Sequence, residues 1–445
     1  MRLFRVLIAF ILAVLAVIFL TKPAWAFCGF YVAKADANLY NEASQVAIAR
    51  DGSAFGAAHA GRTVLTMAND YQGDVKDFAL VVPVPVILTE DQVKVGNPKI
   101  IERLDNFSAP RLVEYFDPNP CAVYKTEEEF DDLAPRAAGR ASGDLRENNS
   151  LGVTVEERFT VGEYDILILS AKESDGLETW LNRNGYKIPR GASRLLRPYI
   201  RQKMKFFVAK VNLEEFANTG FQSLRPLMIA YESPKFMLPI RLGMINSQGE
   251  QDLIVYLLSP KGQTELTNYR TIKVPSDVEI PEFVKGEFSD FYKAMFKTTY
   301  ERENRKIAFL EYAWDMGSCD PCSAQPLTPD ELRQAGVFWL TPNAPTNAFI
   351  SRLHVRYTRD KFPEDLQFQE TSNRQLFQGR YIIRHPFKGE IDCQAAQDYQ
   401  GSVRERQEKE AQTLARLTGW NLNEIRRKIN FLEVKPIPWW RNIWR

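Results

Sequence analysis

Apolar and polar residues change period several times along this chain. "SQVAIARDG" and "RTVLTMAND" read as two candidate strands around the turn region "RDGSAFGAAHAGR", which is rich in Gly and small residues. "FALVVPVPVIL" is apolar on both faces, but Pro83 and Pro85 cannot donate to a ladder. Its second half therefore belongs at a sheet edge or leaves the sheet. "PKIIERLDNF" then reads as a short helix and "PRLVEYF" as an extended segment.

Further on, "VTVEERFTVGEYDILILSA" predicts two strands joined at a glycine turn. "GLETWLNRNGY" predicts a short helix stopped at Gly185, and "SRLLRPYIRQKMKF" a second helix. The β-branched and aromatic runs "FFVAKVNL", "LRPLMIAYES", "FMLPIRLGMI" and "DLIVYLLS" predict antiparallel strands. From Phe288, "FSDFYKAMFKTTYERENRKIAFLEYAW" reads as one long helix ended by Gly317. A new helix starts at "TPDEL", where Thr328 caps, Pro329 takes the first position and Glu331 closes a capping box. Two more strands, "FISRLHVRYT" and "GRYIIRHPF", precede a helical hairpin. Its first arm covers residues 392–419, and its second starts at Asn421 with Glu424 three residues on.

The pattern defines an α+β protein, with antiparallel β-rich domains, long helices and a C-terminal helical hairpin. Without regular βαβ alternation it is not a doubly wound sheet. Residues 131–152 hold almost no large apolar side chains and read as a linker. The expected organisation is a signal segment (1–26), an N-terminal β-rich domain (27–132), a flexible linker (133–152), an α+β domain ending in the hairpin (153–435) and a Trp/Arg-rich tail (436–445).

The first 26 residues set the compartment. "MRLFR" is basic, "VLIAFILAVLAVIFL" is an unbroken apolar run, and "TKPAWA" places Ala24 and Ala26 as a cleavage pattern. This is the order of a secretory signal peptide, with a mature chain starting at Phe27 in the periplasm or outside the cell. The alternative is an uncleaved N-terminal anchor. Charge excludes a general electrostatic grip on nucleic acid, since 57 Lys and Arg face 56 Asp and Glu.

Export makes the five cysteines Cys28, Cys121, Cys319, Cys322 and Cys393 disulfide candidates. Cys28 and Cys121 bracket the first domain and could close it. One of Cys319 and Cys322 could reach Cys393, or the two could pair locally. An odd count leaves at least one thiol unpaired within the chain.

The stretch "GSCDPC" also has the spacing of a redox pair, so Cys319 and Cys322 are candidates for thiol-disulfide exchange. The context argues against it: a preceding helix would place Cys319 at a C-terminus, and Asp320 adds negative charge, both disfavouring thiolate. One C-x-x-C and three scattered histidines, His59, His354 and His385, do not make a zinc site, and no other metal or cofactor is expected. His354 reads as a packed or surface strand residue. Neither G-x-S-x-G nor H-E-x-x-H occurs. Asn69, Asp70, Asp74 and Asp77 read as a solvated turn rather than a calcium loop. Trp439, Trp440 and Trp444 in "KPIPWWRNIWR" are a candidate interface tail, suited to weak contact with a membrane surface or a partner's groove; the favoured alternative is that they fold back onto the protein, since so short a tail binds a membrane weakly.

Seven stretches, "FCGFYVAKADANLYN", "TVLTMANDYQGD", "FALVVPVPV", "SAPRLVEYFDPNPC", "EYDILILSA", "EYAWDMGSCDPC" and "RLTGW", together resemble an exported bacterial family, domain of unknown function 2330. The resemblance runs from about Phe27 to Trp420. It implies export and a shared fold, and it brings no assigned catalytic residues. From the residues, the expected function is non-catalytic binding of an unknown envelope or extracellular partner by a disulfide-stabilised protein. The alternative is an extracytoplasmic thiol-disulfide oxidoreductase using Cys319 and Cys322.

Overall fold

The computed structural model describes residues 30–33, 40–41, 44–53, 61–68, 71–72, 78–121, 153–184, 192–220, 224–245, 249–321, 323–389, 391, 393 and 395–433. Its largest sheet runs in the order Arg270–Lys273, Ile307–Asp315, Phe349–Tyr357, Gln251–Ser259, Ser44–Asp51, Gly61–Met67, Leu227–Ser233 and Val93–Val95. Short strand Phe377–Gln378 pairs with Ile307–Asp315 off this path. A second, wholly antiparallel sheet has the order Phe30–Ala33, Phe78–Val84, Lys205–Val211, Tyr164–Ala171 and Val153–Val161. The class is α+β, and the C-terminal helices are present.

The two sheets pack face to face because each supplies one alternating apolar face. Val46, Ile48, Leu253, Val255 and Leu353 of the large sheet share a core with Leu80, Val82, Ile166, Ile168 and Phe207 of the second. Helices cover the outer faces. Ser174–Arg183 and Ala192–Arg201 lay Leu177, Leu181, Leu196 and Tyr199 on the second sheet. On the far side of the large sheet, Lys99–Ser108 contributes Ile100, Ile101, Leu104 and Phe107, spaced to form one helix face. A smaller parallel sheet, Val278–Glu279, Arg380–His385 and Arg111–Phe116, carries the C-terminal hairpin. The hairpin's helices are Ala396–Thr418 and Leu422–Lys428; together with Phe288–Arg302 they bury Ile280, Phe291, Tyr381, Leu414 and Ile425 in one cluster.

Several local expectations hold. Thr328 Oγ1 accepts from Glu331 N at 3.2 Å, and the Glu331 carboxylate accepts from Thr328 N at 2.7 Å, completing the capping box. Asn421 caps its helix through Asn423 N and Glu424 N, and Gly419 ends the preceding helix at φ +73°. Pro83 lies in a strand with neighbours on both sides, but pairing with Phe30–Ala33 stops at Val81, so the missing N–H is tolerated.

Two expectations need correction. The long helix from Phe288 ends at Arg302, and Ile307–Asp315 is a buried strand. Asn304 and Arg305 turn the chain at positive φ, 56° and 59°. Ala, Leu and Glu in "KIAFLEYAW" favour a helix locally; pairing with Phe349–Tyr357 on one edge and Arg270–Lys273 on the other prevails. The division near residue 132 does not separate sheets either. Strands from before it (Ser44–Asp51, Phe78–Val84, Arg111–Phe116) share the two largest sheets and the parallel three-stranded sheet with strands from after it. A polar linker marks where the chain leaves the core but says nothing of which strands it later joins. Residues 122–152, Gly185, residues 1–29 and residues 434–445 lie outside the described residues.

Candidate functional site

Strand Phe349–Tyr357 places Arg352, His354 and Arg356 at intervals of two, hence on one face. Three cationic side chains on a buried face require carboxylates. Two come from neighbouring strands. Asp252 lies directly opposite Arg356 and accepts Nε and Nη2 at 2.8 and 2.7 Å. Glu311 sits at a bulge: Leu310 opposes Leu353, Tyr312 opposes Arg352, and Glu311 is the extra residue between them. Its Oε2 accepts Arg352 Nε at 2.6 Å, and its Oε1 is 2.8 Å from His354 Nδ1 and also accepts the Tyr292 hydroxyl. His354 Nε2 lies 3.1 Å from Asp252 Oδ1. Asp105, from helix Lys99–Ser108, completes the row by accepting Arg352 Nη1 at 2.6 Å and the Tyr256 hydroxyl at 2.9 Å.

The row Asp105, Arg352, Glu311, His354, Asp252, Arg356 therefore alternates in sign along its length. Burial alone would push the His354 imidazolium down, but Glu311 and Asp252 hold it up to about 9. Burial would likewise raise the Glu311 carboxyl, and the charges of His354 and Arg352 keep it at about 2. At neutral pH His354 is an imidazolium donating from both nitrogens, so it holds no lone pair with which to accept a proton. The row ties the sheet to helix Lys99–Ser108 through Asp105 and to helix Phe288–Arg302 through the Tyr292 hydroxyl.

The cysteine loop follows the Glu311 strand. Asp320 is buried and accepts the Tyr312 hydroxyl and Gln378 Nε2 on the same oxygen, each at 2.7 Å. Ser323 Oγ donates to the Phe107 carbonyl at 2.7 Å. These bonds turn Cys319 outward, where it is exposed and not in a disulfide. It follows a strand rather than a helix, so the helix C-terminus expected to disfavour its thiolate is not there. Cys322 and Cys28 lie outside the described residues, as do His59, Asn69, Asp70, Asp74, Asp77, Trp439, Trp440 and Trp444.

Cys121 and Cys393 are joined across a sequence separation of 272. Neither expected partner of these residues is used: the bond ties the end of the Arg111–Phe116 segment to the start of helix Ala396–Thr418, rather than closing the N-terminal part on Cys28 or reaching the cysteine loop. Close by, His385 Nε2 lies 2.8 Å from Glu114 Oε2 and its Nδ1 3.2 Å from Glu282 Oε1. Its ring stacks on Phe116, 4.5 Å between centroids, and Phe116 is itself 71% exposed.

Among the described residues no group of three or more His, Cys, Asp or Glu stands close enough to hold a metal ion, and no helix is long and apolar enough to cross a membrane. The charge row was half legible: the spacing R-x-H-x-R in "SRLHVRYT" announces a cationic face. Its acidic partners, 41 to 247 positions away, carry no local signal.

A family model described as "uncharacterized protein conserved in bacteria" matches residues 22–369. No curated protein and no solved structure matches the chain.

Proposed function

The chain belongs to the bacterial family DUF2330, and on that footing we propose that it is an exported, disulfide-stabilised protein that binds a cell-envelope or extracellular component without catalysing a reaction. The observation that carries this reading is the Cys121–Cys393 bond, since such bonds persist in oxidising compartments and are rare in a reducing cytoplasm. The basic, apolar and small-residue order of residues 1–26 points the same way. The non-catalytic part is supported by the commitment of both His354 nitrogens to carboxylates. Contact of Trp439, Trp440 and Trp444 with a membrane surface belongs to the same proposal.

The test is mass spectrometry of protein recovered from outside the cytoplasm, alkylated before and after reduction. The expected result is a chain starting at Phe27 with a Cys121–Cys393 peptide that resists alkylation until reduced. A full-length cytoplasmic chain with both thiols free overturns the export reading. A membrane-bound chain retaining residues 1–26 with the bond intact replaces cleavage by anchoring. Turnover of any substrate, abolished by a point substitution, overturns the non-catalytic part.

One observation favours a second reading, thiol-disulfide exchange: the exposed, free Cys319 in "SCDPC". The same samples decide it. Ready exchange of Cys319 and Cys322 with glutathione, while the fold stays intact, selects the oxidoreductase.

A further inference from the structure

Helix Ala396–Thr418 lays a charged patch against the parallel sheet beside the disulfide. Arg406 donates from Nη2 and Nη1 to the two oxygens of Asp117 at 2.8 and 3.3 Å, and Tyr399 donates its hydroxyl to Asp117 Oδ2 at 2.8 Å. Arg384, on the middle strand, donates Nε to Glu279 at 2.8 Å and stands 3.9 Å from Asp117. One turn along the helix from Arg406 is Glu410, only 5% exposed. Its Oε1 is buried and accepts no hydrogen bond; Arg406 Nε, 3.6 Å away, is also buried and donates none.

The charges do not balance. Asp117, Glu279 and Glu410 are three carboxylates against two guanidiniums, and the hydrogen bonds of Arg406 and Arg384 go to Asp117 and Glu279. Glu408, two residues away and so on another side of the helix, is already held by Arg426. Glu410 is therefore the surplus carboxylate, buried without a hydrogen bond to Oε1. Ionising such a group in place is costly, and taking up a proton or moving to water relieves the cost. Just beyond it, Ala411, Leu414 and Leu417 pack with Ile280, Tyr381 and Ile383, so Glu410 cannot reach water without disturbing that apolar seat.

We propose that Glu410 makes the seating of the C-terminal helical hairpin pH-dependent: protonated, it lets helix Ala396–Thr418 lie closely on the parallel sheet, and ionised, it loosens that contact. The groups facing it are Arg406 from its own helix, Glu279 and Arg384 from two strands, and Asp117 from the segment after the third. Burial, reinforced by Glu279 and Asp117 against the pull of Arg406, raises its carboxyl to about 7, which places the change near neutrality. This goes beyond the binding reading and does not depend on it.

The experiment is hydrogen–deuterium exchange of the full chain from pH 5.5 to 8, with rates corrected for intrinsic exchange chemistry. Peptides from residues 396–418 should lose protection several-fold across neutrality, while strand Gln251–Ser259 stays protected. Glu410→Gln should remove the dependence and hold low-pH protection throughout. Glu279→Gln, which withdraws one neighbouring negative charge, should move the midpoint to lower pH and gives a readout if the first variant does not fold. Flat wild-type protection, an unaltered profile in Glu410→Gln, or an unmoved midpoint in Glu279→Gln overturns the proposal.

Discussion

Glu311 and His354 lie on adjacent antiparallel strands, and a one-residue bulge brings Glu311 Oε1 to 2.8 Å from His354 Nδ1. Without the bulge Glu311 would have a direct cross-strand partner of its own. As the extra residue, it serves Arg352 and His354 at once, one carboxylate oxygen each, and so joins the two halves of the buried charge row.

That position makes Arg352 the most costly member to remove. Arg352→Leu leaves Glu311 and Asp105 without their shared guanidinium. The expected loss is about 3–5 kcal/mol, the usual effect of stripping one partner from a buried pair. Urea unfolding of both proteins measures it; a loss below about 1 kcal/mol would mean that the row contributes little.

The row also predicts an asymmetric pH profile. His354 has its folded pKa raised from 6.5 to about 9, so its contribution is complete below 6.5 and is lost as pH rises to 9. Glu311 is lowered from 4.5 to about 2, so its contribution is complete above 4.5 and is lost as pH falls to 2. Stability from this row is therefore greatest between about pH 4.5 and 6.5. His354→Gln should flatten the alkaline limb, by on the order of 3 kcal/mol at most. Thermal denaturation at half-unit pH steps would show whether that limb survives.

Breaking the disulfide should matter more than altering the exposed thiol. Cys121→Ser is expected to lower stability by about 2–5 kcal/mol, because the bond closes a very long loop. Cys319→Ser should stay within about 0.5 kcal/mol of the parent, as befits an exposed residue. Equal effects in denaturant titrations would contradict this assignment of roles.

Asp320 predicts how the cysteine loop behaves. Asp320→Ala removes the acceptor shared by the Tyr312 hydroxyl and Gln378 Nε2, at a cost of about 1–3 kcal/mol. The loosened loop should also alkylate faster at Cys319. Unchanged stability with an unchanged alkylation rate would show that the loop is held by other contacts.

The sequence by itself determined whatever rests on residues within one turn of each other. Thr328 and Glu331 mark a helix start, Asn421 another and Gly419 an end, because caps act over three or four positions. Short apolar runs either side of a turn rich in Gly and small residues are enough to mark "SQVAIARDG" and "RTVLTMAND" as two strands, which pair antiparallel. Tertiary structure decided the rest. "KIAFLEYAW" has the local preferences of a helix and becomes a strand because partners on both edges bury it. Cys121 meets Cys393, and Arg352 meets Asp105, only after strands from opposite ends of the chain have joined the same sheets. The physical reason is that period and capping are local energies, whereas the pairing of distant strands is set by which apolar faces can be buried together. A spacing such as R-x-H-x-R can announce that three charges share a face, but only the assembled sheet chooses the carboxylates that meet them.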